Sequence, residues 1–109
     1  MREIAAVFRS AGYVVTRINS GAMRRSMRYI RFYIIYGLNA SEGFPDLIAF
    51  RGDGIRSELV PIEVKVPGEP LRESQVRVIE YFKRHGVPVH VLDNWRDAQR
   101  LVESFRQAA

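Results

Sequence analysis

Between Asp46 and Val66 two apolar stretches flank Gly52-Asp53-Gly54. An aspartate between glycines, set between two runs of strand-forming residues, signals a tight turn. Asp46–Phe50 and Leu59–Val66 are therefore predicted to pair as a hairpin across the turn segment Arg51–Ser57. This commits the middle of the chain to two paired strands, and every other element has to be arranged around them.

Upstream, Arg2–Ala11 reads as a helix with Ile4, Val7, Phe8 and Ala11 on one face and Gly12 as its stop. Tyr13–Ile18 reads as a strand through its β-branched run Val14, Val15, Thr16. Asn19–Met27 is a polar, Arg-rich connection containing Ser20-Gly21, and Tyr29–Tyr36 reads as a second strand. Gly37–Pro45 is a loop by composition. Downstream, Val66–Pro70 is a bend with two prolines and a glycine, Leu71–His85 a helix ended by Gly86, and Val87–Leu92 a last strand. Asp93 or Asn94 then caps a final helix with the stripe Trp95, Ala98, Val102 and Phe105. The predicted order is αββββαβα, a mixed-sheet α/β domain with helices on both faces.

The 109 residues suit a single domain spanning 1–109, and no apolar run approaches the roughly 20 residues of a membrane span. No signal peptide is expected, and the absence of cysteine excludes thiolate chemistry and cysteine-type zinc sites. Seventeen basic residues against twelve acidic give +5, and fifteen of the seventeen are Arg. From Ile4 to Ser41 there are six Arg and no acid. A basic first third points to a polyanion, most often nucleic acid, or else to a solvated basic face.

The chemistry gathers around the hairpin. Asp46 follows Pro45 and opens one strand, and Glu63-Val64-Lys65 ends the other. Alternation puts Glu63 and Lys65 on one side of the strand, opposite Val60, Ile62 and Val64. Two carboxylates converging at adjacent strand ends make a hard oxygen site suited to Mg²⁺ or Mn²⁺. Such an ion lowers the pKa of its water, and a nearby ammonium such as Lys65 orients that water or stabilises pentavalent phosphorus. Gln75 stands in register with Val78, Ile79 and Phe82, a polar amide in an apolar stripe near a helix start. Neither His85 nor His90 has metal-ligand spacing to another histidine, and Asp53 is a turn residue.

Gly43-Phe44-Pro45-Asp46, Ile62-Glu63-Val64-Lys65, Pro67-Gly68-Glu69, Leu71, Gln75 and Gly86-Val87-Pro88-Val89 together resemble the PD-(D/E)XK nuclease superfamily. Within it the chain is most similar to the virus-type replication-repair nuclease (VRR-NUC) domain, and more loosely to archaeal Holliday-junction resolvases. The resemblance implies a restriction-endonuclease-like core. It implies Asp46 and Glu63 as metal ligands with the Val64 carbonyl as a further one, Lys65 as the partner of the attacking water, and Gln75 as the helix glutamine beside the metal. Glu3 would be the first-helix acid that approaches the metal directly or through water. The implied activity is Mg²⁺- or Mn²⁺-dependent hydrolysis of branched DNA, such as Holliday junctions or flaps, by a homodimer. A cytoplasmic setting with a phage or mobile-element source goes with it.

Ser20, Arg24, Arg25 and Arg28 are the expected phosphate contacts, Ser20 being a plain turn residue otherwise. Tyr29, Arg31 and Tyr33 fit either base stacking or a dimer interface. Two rival functions follow from the same residues. One is a module that holds branched or double-stranded DNA without cutting, although two carboxylates near a phosphate would repel it. The other is a restriction-type or flap nuclease of the same superfamily.

Overall fold

A computed structural model describes residues 1–18 and 43–108. The elements run α1 (Arg2–Ser10), β1 (Val14–Arg17), β2 (Leu47–Gly52), β3 (Ser57–Val64), α2 (Glu73–Arg84), β4 (His90–Leu92) and α3 (Trp95–Ala108). Among the described residues four strands form one sheet in the order β1-β2-β3-β4. The first two pairings are antiparallel and β3–β4 is parallel, so the sheet is mixed. This is the α/β architecture of a restriction-endonuclease-like core. The predicted strand Tyr29–Tyr36 and the connection Asn19–Met27 lie outside the described residues.

The hairpin forms as expected but closes more tightly. Asp53 Oδ1 accepts the Ile55 and Arg56 amides at 2.9 and 2.8 Å, and the Asp53 amide donates to the Arg56 carbonyl at 3.0 Å. Pairing therefore runs out to Gly52 opposite Ser57, two residues beyond the predicted strand ends. At the other end β4 starts at His90 rather than Val87, because the Val87 amide bonds the Phe82 carbonyl at the end of α2. Asn94 settles the cap of α3, its Oδ1 accepting the Asp97 amide at 2.8 Å.

One sheet face carries the core. Leu47, Ala49, Val60, Ile62 and Leu92 are buried against Ile4, Ala5 and Phe8 of α1 and Ala98 and Val102 of α3. The other face is unevenly covered. In register across three strands, Val14, Phe50 and Leu59 stand exposed. At the far end of that face Glu63 is buried, beside the start of α2. No helix among the described residues is long and apolar enough to cross a membrane.

Candidate metal centre

The approach to the site is built by Gly43-Phe44-Pro45. Gly43 has φ +76°, and a Cβ there would lie 2.3 Å from the Ser74 carbonyl oxygen. Only glycine lets the chain pass this close to the first turn of α2. Phe44 meets Phe82 of α2 edge-on at 5.6 Å, and Pro45 is fully buried. The segment delivers Asp46 to the head of β2, beside the end of β3. There the Val64 amide donates to Asp46 Oδ2 at 2.8 Å, and the Ile18 amide donates to the Asp46 carbonyl at 2.8 Å. One carboxylate oxygen is thus held by the backbone between Glu63 and Lys65.

Glu63 is 2% exposed, a burial that carboxylates rarely tolerate without a partner. Gln75 Nε2 donates to its Oε1 at 3.0 Å. Its Oε2 is buried with no hydrogen-bond partner among the described residues. Burial, reinforced by a hydrogen bond and repulsion from Asp46, pushes the Glu63 carboxyl up to about 8, against the pull of Gln75 and the Arg72 charge. Leaving such an oxygen unmet costs on the order of 1–3 kcal/mol, so the arrangement opposes folding stability. It suits a cation. Two hard carboxylates, one carrying an unmet buried oxygen, fit a Mg²⁺- or Mn²⁺-type ion.

Gln75 is placed by a double task. Its Oε1 accepts the Arg72 amide at 2.7 Å, closing the start of α2, while its Nε2 reaches Glu63. The two bonds fix which way the amide points. The polar residue in the apolar stripe is therefore a tie between a helix start and a carboxylate. Lys65 continues β3 by one more bond, its amide donating to the Leu92 carbonyl at 2.9 Å, and it is half-buried. Alternation from Val64 returns it to the Glu63 side.

Asp46, Glu63, Val64, Lys65 and Gln75 are thus brought to one end of the sheet. Glu3 is exposed in the first turn of α1, and no group of three or more His, Cys, Asp or Glu placed to hold a metal occurs among the described residues. The described acids of the centre are therefore two, Asp46 and Glu63. Ser20, Arg24, Arg25, Arg28, Tyr29, Arg31 and Tyr33 lie outside the described residues. The histidines take structural places: His85 Nδ1 is 2.8 Å from the Tyr81 carbonyl at the end of α2. His90 is half-buried against Phe105, and burial lowers its pKa. Sequence reasoning missed Arg72, the N-cap residue of α2, whose charge reaches Glu63. The signal was an Arg-x-x-Gln at a helix start, where a short oxygen-bearing residue is usual.

A profile of the VRR-NUC domain matches residues 30–95, more than half of the chain. No curated protein and no solved structure matches. The matched span holds Asp46, Glu63, Val64, Lys65, Arg72 and Gln75.

Proposed function

Because the chain belongs to the VRR-NUC family of nuclease-type domains, we propose that it is a Mg²⁺- or Mn²⁺-dependent, structure-selective DNA endonuclease acting on branched DNA. The observation that carries this reading is the buried Glu63 beside the half-buried Asp46, with Glu63 Oε2 unmet. Two carboxylates this close repel one another when both are charged, and a bound cation removes that repulsion.

Asp46 and Glu63 hold the ion in this reading, with the Val64 carbonyl beside them. The ion, when bound, supplies acidity to a water and charge to balance the phosphate. Lys65 orients the attacking water and meets the negative charge that grows on the phosphate oxygens. The water oxygen bonds to phosphorus and the bond from phosphorus to the 3′ oxygen breaks. One water proton passes to solvent and the 3′ oxygen takes up another, leaving a 5′-phosphate and a 3′-hydroxyl. Gln75 keeps Glu63 Oε1 turned toward α2, which leaves Oε2 for the ion. The Arg-rich stretch from Ile4 to Ser41, with Ser20, Arg24, Arg25 and Arg28, contacts phosphates and makes activity salt-sensitive.

A second copy of the chain is the proposed partner. The exposed row Val14, Phe50 and Leu59 gives it an apolar surface to cover, and a two-fold pair of sites suits paired cuts on a symmetric junction. The test incubates the chain and Asp46→Asn with labelled single strand, duplex, flap and four-way junction, in Mg²⁺, Mn²⁺ or EDTA. Metal-dependent cutting by the parent alone, strongest on the branched forms, is expected. Binding without cutting in both metals would make it a DNA-holding module instead. Equilibrium sedimentation tests the dimer, and a monomer at all concentrations would rule it out.

A further inference from the structure

The first turn of α2 contains a residue that the helix does not want. Arg72 is the N-cap, extended at φ −74° and ψ 156°. N-cap positions favour short side chains whose oxygen accepts an amide of the first turn. A guanidinium carries donors only, and its charge opposes the positive end of the helix dipole. Arg72 accordingly makes no side-chain capping bond. The helix starts because Gln75 Oε1 accepts the Arg72 amide at 2.7 Å, which is half of a capping box. A serine or threonine at 72 would complete the box with Gln75.

Arg72 is exposed, and two hydrogen bonds connect its backbone to Glu63: Arg72 to Gln75, then Gln75 to Glu63. Independently, the buried Glu63 Oε2 without a partner marks this spot as one that takes a ligand. The charges can be counted. Asp46 and Glu63 balance a divalent ion, and Lys65 balances the single charge of a phosphodiester. Attack by water adds a fifth oxygen to phosphorus and a second negative charge, for which neither pair leaves a cation.

We propose that Arg72 binds the phosphodiester lying on the Asp46–Glu63 centre and supplies the second cation, beside Lys65, for the charge gained at five-coordinate phosphorus. This deepens the nuclease reading above and rests on it. The planar guanidinium offers two parallel N–H donors matched to two phosphate oxygens, whereas a lysine ammonium acts as a point charge.

Arg72→Ser separates this role from a structural one, because serine should improve the helix. The melting temperature of Arg72→Ser should equal or exceed that of the parent. Its single-turnover cleavage rate should fall about 10- to 100-fold, the worth of one charge-assisted contact. Arg72→Lys should fall between the two. Affinity for four-way junction is measured against salt in the non-cutting Asp46→Asn background. There, adding Arg72→Ser should make the slope of log affinity against log salt shallower by about one. An unchanged slope overturns the proposal whatever the rate does, and so does an unchanged rate. A lowered melting temperature with an unchanged slope would make Arg72 part of the helix start only. A parent that cuts no DNA in either metal sinks the nuclease reading, while the slope still decides whether Arg72 touches phosphate.

Discussion

Strand β3 carries two glutamates five residues apart, and they live under opposite rules. Glu58, at the turn end, is partly exposed and fully met. The Tyr13 hydroxyl donates to its Oε2, and Arg51 Nε donates to its Oε1 at 3.2 Å. Arg51 also bonds the Ala11 carbonyl at 3.0 Å and lies 4.2 Å over the Tyr13 ring, so the group ties α1, β2 and β3 together. The Tyr13 hydrogen bond, helped by Arg51, holds the Glu58 carboxyl below its usual range. Burial, then Glu58, pushes the Tyr13 hydroxyl up to about 12. Glu63, at the other end, is buried beside a second acid with one oxygen unmet. One end of the strand uses a carboxylate to hold the fold. The other holds a carboxylate that the fold alone would be better without, and the cation site proposed above rests on this contrast.

The largest separation between the two ends is expected from Glu63→Gln. The amide keeps the shape and removes the charge, so metal-dependent cutting should fall by about 10³-fold or more, the scale of losing several kcal/mol of charge stabilisation. Metal-free melting at pH 8 should hold or rise, because a repelling carboxylate has gone. Glu58→Gln should leave cutting by the folded protein unchanged. Equal losses in the two variants would erase the comparison.

Gly43→Ala comes next. Its Cβ would meet the Ser74 carbonyl oxygen at 2.3 Å with φ at +76°, whereas at Gly68, φ +85°, a Cβ meets nothing within 4 Å. Both alanines carry the left-handed penalty of about 1–2 kcal/mol. Only Gly43→Ala must also displace the first turn of α2, loosening the Gln75–Glu63 tie. Urea midpoints and cutting rates should both fall further for Gly43→Ala than for Gly68→Ala, and equal effects would mean that the close approach positions nothing.

Proton linkage gives the two ends opposite signs. Glu63 binds its proton more tightly in the folded state, so in EDTA stability should decline as pH rises from the ordinary carboxylate range to about 8. Glu58 is the reverse: its contribution is present above the ordinary range and is lost as pH falls through its lowered folded value. Saturating Mg²⁺ or Mn²⁺ should remove the alkaline decline and leave the acid one. Urea titrations across pH with EDTA or metal read both, and an alkaline decline that metal does not touch would detach Glu63 from the ion.

Much of this contrast is legible in the sequence, though unevenly. The Gly-Asp-Gly turn and the alternation of Val60, Ile62 and Val64 against Glu63 and Lys65 place Asp46 and Glu63 at neighbouring strand ends. The apolar step of the second helix places Gln75 toward the same point. What stays hidden depends on contacts between distant segments. Gly43 reads as a loop glycine because its reason is Ser74, 31 residues on. The burial of Glu63 follows from how far α2 leans over the sheet, which no local period encodes. Glu58 reads as an ordinary strand-surface acid until Tyr13 and Arg51 are seen to meet it.

The smallest effect expected is at that structural end. In Tyr13→Phe the ring stays in the core beside Phe8, 5.5 Å away edge-on, so no cavity opens. Glu58 loses one donor but keeps Arg51 and reaches water, so nothing is stranded. The cost should be about 1 kcal/mol, one net hydrogen bond to a charged group at a part-buried position. It should appear as a lower urea midpoint with an unchanged slope. Cutting at saturating metal should not change, because the register Leu47 opposite Ile62 that sets the two carboxylates lies at the far end of the hairpin. A loss of activity in Tyr13→Phe beyond its loss of folded protein would show that the two ends are coupled through β3, and the division drawn between them would fail.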